Sequence, residues 1–147
     1  MNPLPALVLL PVIGGGLAWL AERVRPHTVV PSRNASWWVM LATLIVETLL
    51  LAIVTFNHPT IRTGPWLEHF SMPWIPTMGI AVRLDMDGLS LSLIWLSLLL
   101  CFLCACLATR QITVKAGTFH FLFLTTLTGI IGTFLATDLF LFFFFWE

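Results

Sequence analysis

The sequence predicts an all-α integral membrane protein: four transmembrane helices, the start of a fifth, and a β-hairpin outside the membrane. Three observations carry this. The 147 residues are 59% hydrophobic and only 10% charged, with a mean hydropathy of +0.97; a soluble domain is usually about 45–50% apolar and about 25% charged. Four apolar runs each approach the roughly 20 residues that a helix needs to cross a hydrocarbon core. One segment between them alternates apolar and polar residues, which is the period of a strand.

The first run spans about Leu4–Leu20. Pro3 and Pro5 suit a first helical turn, whereas Pro11 is expected to kink the helix. Gly14, Gly15 and Gly16 would weaken a soluble helix, but small residues let membrane helices approach closely. The run is not read as a signal peptide: no basic residue precedes Leu4, and Arg23 and Arg25 follow it. The second run spans about Ser36–Phe56, the third Leu89–Ala108, the fourth Phe119–Ala136, and a fifth begins near Leu139. The chain therefore divides into residues 1–56 with two helices, 57–88 outside the membrane, 89–136 with two more helices, and 137–147 opening the fifth. Trp19, Trp37, Trp38, Trp66, Trp74 and Trp146 lie near ends of apolar runs or beside polar segments, where Trp favours the lipid–water boundary.

Loop charges orient the path. Arg23, Arg25 and Arg33 follow the first run, and Arg110 and Lys115 follow the third, so both loops are expected in the cytoplasm. The N-terminus then lies outside. So does the segment of about Asn57–Gly88, where Arg62 and Arg83 meet Glu68, Asp85 and Asp87. In "GIAVRLDMD", Ile80, Val82, Leu84 and Met86 point one way, and Ala81, Arg83, Asp85 and Asp87 the other. Pro76 and Gly79 supply the preceding turn. An isolated hairpin is marginal in water, so this one should rest on protein: a neighbouring subunit, or its own helices.

Cys101, Cys104 and Cys106 crowd into one apolar run and read as small packing residues rather than a redox pair or disulfide framework. His27, His58, His69 and His120 have no metal-ligand spacing. Seven basic and seven acidic residues cancel, which leaves no electrostatic case for a nucleic-acid partner.

Ionisable residues at membrane depth mark candidate functional sites. Glu147 closes "FLFFFFWE", about 12 Å into the fifth helix at 1.5 Å per residue. That is close to the midplane of a core about 30 Å thick. Desolvation among Phe142–Phe145 and Trp146 favours its protonated form, and a lysine from another helix would favour the charged form. Such a carboxylate suits a proton relay; the plainer alternative is a neutral, hydrogen-bonded acid in a bundle. Asp138 is read first as the N-cap of the fifth helix and second as a proton-entry residue. Glu47, in "LIVETLLLA", meets the same midplane logic but has only Thr43 and Thr48 as polar neighbours; it is read first as a packing or partner-helix contact and second as a transport residue.

"MPWIPTMGIAVRLDMDGLSLSLIWL" followed by "GTFLATDLFLFFFFWE" resembles the N-terminal portion of the M-chain (chain 4) family of proton-pumping NADH:quinone oxidoreductase, respiratory complex I. "LVLLPVIGGGLAWLAER" is similar too. The likeness covers nearly the whole chain and is weakest in the first cytoplasmic loop and the second run. The bare "DGLS" and acid-after-aromatics pattern is looser, being shared with multi-subunit cation/proton antiporters and membrane-bound hydrogenases.

The resemblance implies the opening of an antiporter-like fold of two inverted repeats, in a longer chain of which this is a fragment. It implies that Glu147 is the proton-carrying glutamate of the family, with a partner lysine on the seventh helix. It implies neighbouring antiporter-like chains of the membrane arm as partners, contacted through the hairpin. It implies no flavin, iron–sulfur cluster or quinone site in this chain, so no cofactor, and a place in the bacterial cytoplasmic membrane. Nothing from the family pattern carries over to Glu47. The alternatives are a subunit of a cation/proton antiporter or hydrogenase, and a structural membrane scaffold.

Overall fold

The computed structural model describes residues 2–24, 35–57, 67–75, 77, 80–112 and 115–147. They form helices α1 (Leu4–Val24) and α2 (Ala35–Asn57), strands β1 (Glu68–Ile75) and β2 (Ile80–Met86), and helices α3 (Gly88–Gln111), α4 (Ala116–Leu135) and α5 (Leu139–Trp146). The first four helices are each long and apolar enough to cross a membrane. In hydrocarbon every backbone N–H and C=O must be paired internally, and a helix achieves this within one segment. The protein has an integral membrane fold. Arg25, Arg33, Arg62, His27, His58, Trp66, Pro76, Gly79 and the side chain of Arg110 fall outside the described residues.

The helices alternate in direction, and polar contacts at the two ends of the bundle record it. At one end Asn2 donates its side-chain amide to the His69 carbonyl (2.6 Å), joining the start of α1 to β1. Thr137, just past α4, donates its N–H to the Arg83 carbonyl of β2 (3.2 Å). Ser90 in the first turn of α3 donates its hydroxyl to the Phe134 carbonyl near the end of α4 (2.8 Å). At the other end Gly117 donates its N–H to Glu22 Oε2 of α1 (2.8 Å), and Ser36 at the start of α2 meets His120 of α4 (3.1 Å).

Asp87 ends the strand and caps α3. Its extended backbone lets the carboxylate accept from the Ser90 N–H at 2.7 Å. That hydrogen bond holds the Asp87 carboxyl below the usual carboxylate range. Pro11 sits within α1 without ending it; the helix runs as one element from Leu4 to Val24.

The hairpin is antiparallel, with Glu68 opposite Met86 and Phe70 opposite Leu84. Its first strand starts at Glu68, earlier than the alternating segment alone indicates. A register irregularity falls between Pro73 and Ile75. Proline donates no ladder hydrogen bond and is confined to edges and bulges.

The alternation breaks in β2, where Leu84, Asp85 and Met86 are all buried. Leu84 and Met86 enter the helical core. Asp85, expected on the outward face, is instead drawn in by polar contacts: its carboxylate meets His69 Nδ1 and accepts from the Thr137 hydroxyl (2.7 Å). The hairpin thus rests on its own helices, while Met72 and Trp74 stay about half exposed.

Close helix packing relies on glycine, as the small residues of α1 suggested. A Cβ on Gly14 would strike the side chain of Thr43 in α2, and one on Gly15 would meet the Phe121 carbonyl of α4 at 3.1 Å. Gly16 faces open space. In α4, Gly132 leaves room for the Phe145 ring of α5. The cysteines depart from their packing role: Cys104 and Cys106 are exposed on α3, and only Cys101 is partly covered. All three are free.

Between membrane helices, van der Waals fit rather than hydrophobic transfer drives association. Overpacking a tight contact costs about 1–3 kcal/mol. Gly132→Ala is therefore expected to lower the thermal stability of the detergent-purified subunit by about that amount. Gly16→Ala, with nothing to strike, should leave it unchanged or raise it by up to about 1 kcal/mol through helix propensity. Equal losses in the two variants would refute the packing account.

Candidate functional site

The site is built from α5 upward. Asp138 takes an extended backbone and accepts the Phe140 N–H on Oδ1 at 2.9 Å, so it is the N-cap expected of it. This cap fixes where the helix begins and hence how deep each later residue lies. A helix turns once in 3.6 residues, so four consecutive phenylalanines cannot share a face. Phe144 meets Trp74 of the hairpin edge to face, with ring centres 6.4 Å apart. Phe145 packs on Gly132. Phe142 stacks on Trp146 at 6.0 Å. Phe143 is exposed.

Glu147 follows as the C-cap, its N–H donating to the Phe143 carbonyl at 3.1 Å. It lines a groove of about 860 Å³ with Val8 and Val12 of α1 and Thr125, Gly129 and Thr133 of α4. Those α4 residues lie between 2 and 10 positions before the end of the helix at Leu135, or roughly 3–15 Å along its axis. The groove beside Glu147 therefore runs along the half of α4 that ends at Leu135. Four threonines line this apolar groove, and each already donates its hydroxyl one turn back along α4: Thr125 to Phe121, Thr126 to Leu122, Thr128 to Leu124 and Thr133 to Gly129. Their hydroxyl oxygens remain able to accept.

Glu47 lies apart from this groove. It is fully buried on the inner face of α2, with Ser36, Met40, Thr43, Leu44 and Leu51. Neither of its carboxyl oxygens has a hydrogen-bond partner among the described residues. The sequence located this acid at mid-helix but gave no sign of which way it faces. His120, also buried, is paired with Ser36 near one end of the same α2 face. Among the described residues no group of three His, Cys, Asp or Glu side chains is placed to hold a metal ion.

No family model matches the chain. It is 41% identical to NADH-quinone oxidoreductase subunit M of Escherichia coli (strain K12), over 98% of this chain and 28% of that protein. It is 38% identical to the subunit M of Pseudomonas aeruginosa over the same shares. The chain belongs to the subunit M family of NADH-quinone oxidoreductase. It is also 36% identical to the chloroplastic NAD(P)H-quinone oxidoreductase chain 4 of Chara vulgaris, over 81% of this chain and 24% of that one. The resemblance read on "MPWIP" and "FFFFWE" is thus borne out, and the chain spans about 28% of the length of the subunit M relatives.

The cap and the proton-entry readings of Asp138 separate by substitution. Asparagine caps as well as aspartate, whereas alanine costs about 1 kcal/mol. In the complete subunit, Asp138→Asn should keep wild-type stability and proton-transfer rate, and Asp138→Ala should lose both in part. A rate lost in Asp138→Asn at full stability would assign the carboxylate a proton-carrying role instead.

Proposed function

We propose that this chain is the opening part of an antiporter-like membrane subunit of complex I, and that Glu147 carries protons across the middle of the membrane during NADH oxidation and quinone reduction. What supports the reading is the place of Glu147 at the end of the apolar α5, where it lines a groove with α1 and α4. Membership of the subunit M family supports it. No electron-transfer group is needed here; the redox chemistry belongs to other subunits, and this chain answers to the charge or shape changes that chemistry produces.

The mechanism follows from electrostatics at low dielectric. A carboxylate near the bilayer centre is costly unless paired. An approaching lysine favours the charged form, and its withdrawal favours the protonated form. Such a partner would meet Glu147 along the groove that it lines with α1 and α4.

Glu147→Gln in the complete subunit is expected to leave assembly and NADH oxidation with an artificial acceptor intact, and to abolish or sharply lower quinone-coupled proton pumping. Glu147→Asp should retain part of the pumping. The readout is proton uptake by reconstituted vesicles. Full pumping by the glutamine variant would end the relay assignment.

The orientation proposed is N-terminus outside, in the bacterial cytoplasmic membrane, with the exposed edge of the hairpin against a neighbouring subunit of the membrane arm. Met72 lies on that edge and Lys115 at the opposite end of the bundle. In otherwise cysteine-free subunits, an impermeant maleimide should label Met72→Cys from outside and Lys115→Cys from the cytoplasm. Label at position 72 should fall at least several-fold in the assembled arm. Reversed sidedness would overturn the orientation, and undiminished label would overturn the docking.

A further inference from the structure

Glu47 is the buried ionisable group that the relay at Glu147 does not use. It is 0% exposed, and both carboxyl oxygens lack a hydrogen-bond donor among the described residues. It stands 12 residues after the start of α2 and 10 before its end, so each end of the helix is about 15–18 Å away. No side chain reaches that far from the loops.

The helices packed on α2 are α1, α3 and α4. The charged residues of α1 are Glu22 and Arg23, both in its last turn and far from mid-membrane. In α3, from Gly88 to Ala108, there is no Asp, Glu, Lys, Arg or His; its titratable side chains are Cys101, Cys104 and Cys106. In α4 the titratable group is His120, which is spent on Ser36, 11 residues before Glu47. Within α2 itself Glu47 is the only charged residue, and Thr43, one turn away, donates its hydroxyl to the Val39 carbonyl.

A carboxylate with no counter-charge and no donor does not persist in such a place; burial neutralises it. The neutral acid still carries an O–H to give and a carbonyl to accept with, so the group is held ready rather than satisfied. From this arrangement we infer that Glu47 is a second proton-binding site, separate from Glu147. It is an uncharged glutamic acid enclosed where α2 packs on α1, α3 and α4, and it exchanges its proton when the bundle loosens enough to admit water. Thr43 and then Ser36 with His120 are the next polar groups along the same buried face, so exchange runs along α2 toward the end where Ser36 lies. The inference rests on burial and on the missing partners, and stands whether or not Glu147 is the relay.

The test is infrared difference spectroscopy on the complete subunit in the assembled complex, before and during turnover, in water and in D₂O. A protonated-carboxyl band should disappear in Glu47→Gln and survive in Glu147→Gln. It should shift in D₂O after turnover. Glu47→Gln should assemble normally, because one neutral side chain replaces another of the same shape. The site is refuted if Glu47→Gln leaves the protonated-carboxyl region unchanged. It is refuted also if the band is lost on substitution yet never shifts in D₂O, since that acid exchanges no proton. Failure of Glu47→Gln to assemble, with Glu47→Asp assembling normally, would reveal an ionised group with a hidden partner and would overturn the inference. Failure of the Glu147→Gln pumping test alone would leave it standing.

Discussion

Close approach to α4 is the constraint on which the rest of the molecule depends. α1, α2, α3, α5 and β2 all touch this helix. Lipid tails are as apolar as leucine, so nothing but fit and hydrogen bonding holds helices together in a membrane. Glycine supplies the fit on both sides of α4: Gly15 of α1 lies against Phe121, and Gly132 of α4 receives Phe145. Hydrogen bonds supply the rest at its ends, through Glu22 with Gly117 and Ser90 with Phe134. The groove beside Glu147 is what remains between α1, α4 and α5 once those contacts are made.

The number and limits of the spans were legible because span length is set by the bilayer, and the composition of each run reports it directly. The caps at Asp87 and Asp138 obey local rules, and Asp138 could be read from its neighbours alone. The burial of Asp85 could not be, because its partners His69 and Thr137 are brought to it by the fold. Strand alternation describes an element with one wet face, and β2 has polar partners on the face that should be wet.

The helical faces were illegible for a different reason. A membrane helix is apolar all round, so its pattern does not say which side meets lipid and which meets protein. The exposure of Cys104 and Cys106 and the inward turn of Glu47 both escaped the sequence on that account. For Glu147 the place at the end of an apolar helix was readable, but the residues around it were not. Sequence neighbours on a helix point in different directions, and Phe142 through Phe145 serve four different contacts or none.

The bond from Gly117 to Glu22 bears on how the chain enters the membrane. Ribosomes deliver helices in order, yet the N–H at the head of α4 is answered by an acid in the first span, 95 positions earlier. The opening Asn2 likewise waits for the His69 carbonyl, 67 positions on. The hydrogen bonds at the two ends of the first span are therefore completed only by elements made much later in the chain.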